Sequence, residues 1–97
     1  LEYINIQGDT GYILLKYKVN DYVCEHVDTN SGEHRTLSCS IILNDEYEGG
    51  DLIFFNGQYK PKLNKGDMVI FPAGFTYPHQ VSSITSGTRY AIITWIK

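Results

Sequence analysis

His26 and Asp28, one residue apart, and His79 much later are the residues of this chain best suited to chemistry. Two imidazole nitrogens and one carboxylate oxygen can bind one face of an octahedral ion and leave three positions open. That donor set suits non-haem Fe(II). Arg89 lies ten residues beyond His79. Its planar fork of donors matches a carboxylate in bidentate geometry. A metal with open positions beside an anion-binding arginine is the signature of an oxidative enzyme that uses an acidic co-substrate. His26, Asp28, His79 and Arg89 are therefore the candidate catalytic residues.

Each piece alone is weak. His26 and Asp28 are also ordinary polar residues for the end of a strand. They share a side only if Val27 is extended, because strand side chains alternate. His79 follows Pro78 at the start of a short strand, where a hydrogen-bonded structural histidine is equally at home. Arg89 has the alternative of an internal salt bridge with Asp51 or Asp67. Tyr17 and Ser38 carry hydroxyls that can join Arg89 on the same ligand, although Tyr17 is also a natural core residue. His34, beside Arg35 in a polar loop, reads as solvent-facing.

The elements that must position these groups are strands. β-branched and aromatic residues cluster in short runs broken by Gly, Asn, Asp and Pro. The runs cover 12–18, 22–28, 36–43, 51–55, 59–63, 68–71, 79–83 and 89–96, and Pro61 marks 59–63 as an edge strand. Turns are expected at 30–33, 44–45, 48–50, 56–57, 64–67, 72–74 and 86–87. No segment carries a helical stripe. Seven or eight short strands predict an all-β sandwich, jelly roll or small barrel. In the last run Arg89, Ala91, Ile93 and Trp95 share one face and Tyr90, Ile92, Thr94 and Ile96 the other. Apolar groups on both faces predict a strand buried on both sides, where an arginine needs an anionic partner. Thr36, Ser38, Ser40 and Ile42 share a face whose three hydroxyls fit a polar cavity. Leu37, Cys39, Ile41 and Leu43 form the apolar face opposite.

Length and composition bound the answer. With 97 residues, positions 1–97 form at most one domain. The net charge of −3 and the lack of any Lys/Arg run leave no surface for tracking phosphates, so no nucleic-acid partner is expected. The two cysteines, Cys24 and Cys39, form no CxxC pair, and each reads as a small apolar residue. No apolar run approaches the roughly 18 residues of a membrane span. No membrane partner is expected, and a cytoplasmic location is the favoured reading. The start at Leu1 reads as an excised or truncated core.

The ordered motifs resemble a known family. Tyr17, His26-Val27-Asp28, Arg35-Thr36-Leu37-Ser38, Ile42-Leu43-Asn44 and Glu48-Gly49-Gly50-Asp51-Leu52 appear in sequence. Pro61-Lys62, 66–72, His79, Gly87-Thr88-Arg89-Tyr90-Ala91 and Trp95 complete the set. Together they resemble the double-stranded β-helix, or jelly-roll, core of Fe(II)- and 2-oxoglutarate-dependent oxygenases, in the prolyl 4-hydroxylase-like branch. The resemblance implies His26, Asp28 and His79 as iron ligands. It implies Arg89 and Tyr17 as contacts for 2-oxoglutarate, and the Ser38 hydroxyl noted above is a further candidate beside them. Ile42 stands where some relatives have a second tyrosine. Asp28 argues against a halogenase, which lacks that carboxylate. The family's N-terminal helices, which support one sheet, are not evident, and without them one flank of the sheet is exposed.

The activity implied is hydroxylation of an unactivated C–H bond, with a prolyl residue of a peptide or protein as the expected substrate. Fe(II) and 2-oxoglutarate are the cofactors, dioxygen the oxidant, and ascorbate a candidate reductant. Rival readings keep the chemistry but change the substrate to a free amino acid, nucleobase or small metabolite. Others replace it with a cupin-like metalloenzyme, or with a non-enzymatic jelly-roll binding module. A mobile loop beside the site is expected at 30–34 or 47–50.

Overall fold

The computed structural model describes residues 5–29 and 34–97. The expected loop at 30–33 lies outside them. Nine strands follow in chain order among the described residues: β1 Ile13–Tyr17, β2 Val23–His26, β3 Leu37–Ile42, β4 Tyr47–Gly49 and β5 Leu52–Phe54. Then come β6 Met68–Pro72, β7 His79–Val81, β8 Ile84–Gly87 and β9 Arg89–Ile96. They pair antiparallel as a four-stranded sheet β1-β9-β3-β6, a three-stranded sheet β2-β7-β5 and the ribbon β4-β8. The fold is all-β. No helix among the described residues is long and apolar enough to cross a membrane.

Alternation decides which side chains meet inside. On β3, Ser38, Ser40 and Ile42 stand opposite Trp95, Ile93 and Ala91 of β9. On the other flank of β9, Tyr17 of β1 stands opposite Arg89. The core lies between the two larger sheets. Tyr17 and Phe71 come from one, Leu52, Phe54 and Val81 from the other, and Ile84 of β8 joins them. Phe54 meets Phe71 edge to face at 4.9 Å between centroids, the arrangement that ring quadrupoles favour. Ile84 is fully buried, which stabilises the fold by about 1.5–3 kcal/mol.

Four expectations need correction. Residues 59–63 form no strand: only Tyr59 bridges to Phe54, and Pro61 has no N–H to extend a ladder. Residues 47–50 are neither a simple turn nor a mobile loop. Tyr47–Gly49 is β4, paired with β8, and Gly50 is buried. The close approach of two backbones makes this possible. A Cβ on Gly49 would stand 2.1 Å from the Ser83 carbonyl oxygen. Residues 86–87 lie within β8 rather than forming a free turn, because Ser86 and Gly87 pair with Glu48 and Tyr47 of β4. Finally, β9 is not fully buried on both sides. Its outward row is only partly covered, and neighbouring Leu14, Met68 and Ile70 on that face are more than half exposed.

Candidate metal centre

The histidines meet because β2 and β7 pair with His26 opposite His79. Their ring centroids are 4.4 Å apart. Each Nδ1–H donates to a backbone carbonyl two residues earlier: His26 to Cys24 at 2.8 Å and His79 to Tyr77 at 3.0 Å. These bonds fix both rings in one orientation and turn each Nε2 toward the same point, the arrangement that metal-binding histidines use. Asp28, just past the end of β2, sends Oδ1 to that point. It lies 3.0 Å from Nε2 of His26 and 3.2 Å from Nε2 of His79. The three ligand atoms all fall within 4.8 Å of one another.

The spacing fits a divalent ion. Adjacent ligands of an octahedron with bonds near 2.1 Å are about 3.0 Å apart. With Nδ1 protonated in both rings, each Nε2···Oδ1 approach sets lone pair against lone pair. A cation between them, either a proton or a metal, removes that repulsion. Two borderline nitrogens, one hard oxygen and an open side match the donor chemistry of non-haem Fe(II).

The other oxygen of Asp28 is occupied. Oδ2 accepts from the Ser38 hydroxyl at 2.6 Å and from the Trp95 indole Nε1–H at 3.1 Å. Burial works against ionisation of Asp28. Hydrogen bonds from His79, Ser38 and Trp95 outweigh it and hold the carboxyl well below the usual range. Burial likewise works against a charged His79, but the Asp28 carboxylate and the Tyr77 carbonyl win and raise its pKa.

A cavity of about 190 Å³ opens from these groups into the space between the sheets. His26, Asp28 and His79 line one part of it, and Tyr17, Ser40 and Arg89 line another. Arg89 is only 3% exposed, and its Nε–H has no hydrogen-bond partner. A buried donor of that kind calls for a ligand. The alternative salt bridges of Arg89 with Asp51 or Asp67 do not form. Asp51 pairs with Lys60 at 3.6 Å, and no carboxylate pairs with Arg89 among the described residues. The guanidinium lies over the Tyr17 ring, 4.7 Å from its centroid. Burial raises the Tyr17 hydroxyl pKa despite the opposing pull of Arg89. Tyr17 therefore stays a neutral O–H donor beside the cation.

The structure thus brings His26, Asp28, His79, Tyr17, Ser38 and Arg89 to one cavity. Ser38 commits its proton to Asp28 and turns only its lone pairs to other groups. His34 is exposed, as its loop composition implies. Both cysteines are free thiols, Cys24 exposed and Cys39 buried.

Three functional neighbours escape a reading by residue type. Trp95 bonds Asp28. Arg35 stacks on Trp95 with its guanidinium carbon 3.8 Å from the ring centroid, and its Nη1 donates to the Asp28 carbonyl at 2.9 Å. Asn44 clamps the backbone on both sides of Arg89, donating to the Thr88 carbonyl at 2.7 Å and accepting from Tyr90 N–H at 2.8 Å. All three stand among the motifs of the family resemblance, and Trp95 also carried a signal through its shared face with Arg89.

Comparison with known proteins agrees with this geometry. A PKHD-type hydroxylase of Acinetobacter baumannii is 48% identical over 65 residues, spanning 63% of this chain and 28% of that protein. One from Psychrobacter is 35% identical over 83 residues, spanning 81% of this chain and 31% of that protein. One from Acinetobacter baylyi is 40% identical and spans 74% of this chain and 36% of that protein. The chain therefore spans about a third of the length of these relatives.

Two solved structures share the fold. A Pseudomonas putida prolyl-4-hydroxylase superposes with a TM-score of 0.76 at 23% identity, over 89% of this chain and 50% of that one. A Trichoplax adhaerens prolyl hydroxylase, solved with a hypoxia inducible factor peptide fragment, gives 0.82 at 23% identity, over 94% and 44%. Residues 12–97 match the sequence profile of the 2OG-Fe(II) oxygenase superfamily, and the chain belongs to that family.

Proposed function

We propose that residues 1–97 are the core domain of an Fe(II)- and 2-oxoglutarate-dependent dioxygenase that hydroxylates a prolyl residue in a peptide or protein. The observation that carries this reading is one cavity with the His26, Asp28 and His79 ligand set and a buried Arg89 whose Nε–H has no partner. The two larger sheets are the walls of a double-stranded β-helix in this reading. His26, Asp28 and His79 hold the metal. Arg89 and the Tyr17 hydroxyl grip the far carboxylate of 2-oxoglutarate, with the Ser38 oxygen facing the same cavity. Bound iron with 2-oxoglutarate and dioxygen supplies the oxidant for C–H hydroxylation, releasing succinate and carbon dioxide.

The protein's share is placement. Backbone carbonyls orient both imidazoles, and Asp28 contributes negative charge without needing to lose a proton at neutral pH. Leu15, Val23, Leu52 and Val81 supply apolar wall between these polar groups. The half-exposed side of His26 leaves the metal face open to an incoming substrate. The prolyl assignment draws on the two superposed hydroxylases, one of them bound to a peptide.

The test is anaerobic titration with Fe(II) and 2-oxoglutarate, then mass spectrometry of products from prolyl peptides and free amino acids. Iron-dependent 2-oxoglutarate binding and a +16 Da product, about one oxygen atom, on the peptide support the proposal. Hydroxylation of free amino acids with peptides inert refutes the peptide assignment. No iron-dependent binding refutes the oxygenase itself.

A further inference from the structure

We propose that Trp95, steadied by Arg35, is a positioning residue that keeps Asp28 a one-oxygen metal ligand. The inference rests on the metal-binding reading above and adds a role for two residues outside the ligand set. Asp28 lies beyond the last ladder position of β2, so no strand pairing holds its backbone. What holds it is a closed ring of contacts. The Trp95 indole N–H and the Ser38 hydroxyl both donate to Oδ2. Arg35 stacks on the Trp95 ring and donates Nη1–H to the Asp28 carbonyl. One guanidinium therefore ties the indole to the main chain of the residue that the indole orients.

The consequence is a choice of denticity. With two donors on Oδ2, only Oδ1 faces both histidine nitrogens. A carboxylate free to swing could chelate an ion through both oxygens. It would then take one of the three positions that the co-substrate and dioxygen need. Chelation here would break both bonds to Oδ2, so the Trp95 and Ser38 donors disfavour it. Outer partners that hold a ligating carboxylate commonly matter 10–100-fold for metal affinity. Ser38 and Trp95 sit opposite each other on β3 and β9, so two neighbouring strands carry the device into the cavity at one level.

Trp95→Phe keeps an aromatic ring beneath Arg35 and removes the donor together with part of the indole's area. Co(II) alone is the probe, followed by calorimetry and by infrared bands of the Asp28 carboxylate. Circular dichroism and thermal melting of each metal-free variant check the fold. The expected result is about 10- to 100-fold weaker Co(II) binding by Trp95→Phe, with the spacing of the two carboxylate stretches narrowed toward a chelating mode. Arg35→Lys keeps the charge but not the stacked plane and should lose a few-fold, on the order of a cation–π contact. The double variant should lose less than the product of the two single effects, because Arg35 acts through Trp95. Ser38→Ala, which removes the second Oδ2 donor, gives the same readout should Trp95→Phe fold poorly.

Wild-type affinity together with unchanged carboxylate bands in Trp95→Phe, or in Ser38→Ala where that variant stands in, overturns the inference and leaves the oxygenase reading intact. Failure of the parent protein to bind Co(II), or equal binding by Asp28→Ala, overturns the metal reading and this inference with it.

Discussion

Replacing Arg89 with methionine should raise the stability of the metal-free protein while destroying its response to 2-oxoglutarate. The guanidinium is buried with no carboxylate beside it, and its Nε–H is unsatisfied. An unsatisfied buried donor costs about 1–3 kcal/mol, more for a charged group. Methionine keeps an unbranched apolar stem of similar length against Tyr17 and removes that cost. Loss of contacts over the Tyr17 ring, about 0.5–2 kcal/mol, works against it. The net expectation is a gain of about 1 kcal/mol, or a rise in Tm of about 4–8 °C for a domain of this size. Arg89 also supplies charge-assisted hydrogen bonds to the co-substrate carboxylate, each contributing about 1.5–3 kcal/mol. Two such bonds lost amount to roughly 3–6 kcal/mol, a weakening of at least about 100-fold at 1.4 kcal/mol per factor of ten. Calorimetric melting of both proteins, with and without 2-oxoglutarate and Co(II), separates the effects. The wild type should melt higher with 2-oxoglutarate and the variant should not, while Co(II) alone stabilises both. A variant that melts below the wild type and is still stabilised by 2-oxoglutarate would refute the reasoning.

Asn44→Ala frees the Thr88 carbonyl and Tyr90 N–H that flank Arg89. It should destabilise the fold by about 1–3 kcal/mol per stranded group in urea unfolding, weaken 2-oxoglutarate through the loosened backbone at Arg89, and leave Co(II) affinity unchanged by calorimetry. Gly50→Ala should destabilise the fold by about 1–3 kcal/mol in urea unfolding. Its Cβ would stand 2.5 Å from Ile84 Cδ1 and 2.9 Å from Arg89 Cδ, at a φ of +65°. Burial raises the Tyr17 hydroxyl above its ordinary 10.0, so the folded state favours the neutral ring. That contribution is complete below about pH 10 and is lost as pH rises through the folded value. Tyr17→Phe should accordingly unfold less steeply with alkali than the wild type, and identical alkaline slopes would count against a buried neutral Tyr17.

Local rules made much of the site legible. An i, i+2 pair at a strand end is set by the chain's own geometry, and period-two alternation placed Ser38, Ser40 and Ile42 on one face of β3. The same alternation placed Arg89, Ala91, Ile93 and Trp95 on one face of β9. Most strands followed from β-branched and aromatic runs between turn residues. What failed depends on partners far away in sequence. Residues 48–50 look like a turn from their two glycines, yet Tyr47–Gly49 becomes a strand because β8 lies against it. Residues 59–63 have strand composition but find no neighbour beyond one bridge.

The surroundings of Asp28 show the same division. Its type and spacing mark it as a ligand. Which oxygen faces the histidines is decided by Trp95, 67 positions along the chain, and by Ser38 and Arg35. A carboxylate has two equivalent oxygens until other groups bond one of them, so only the pairing of β9 with β3, which sets Trp95 beside Ser38, could break that symmetry.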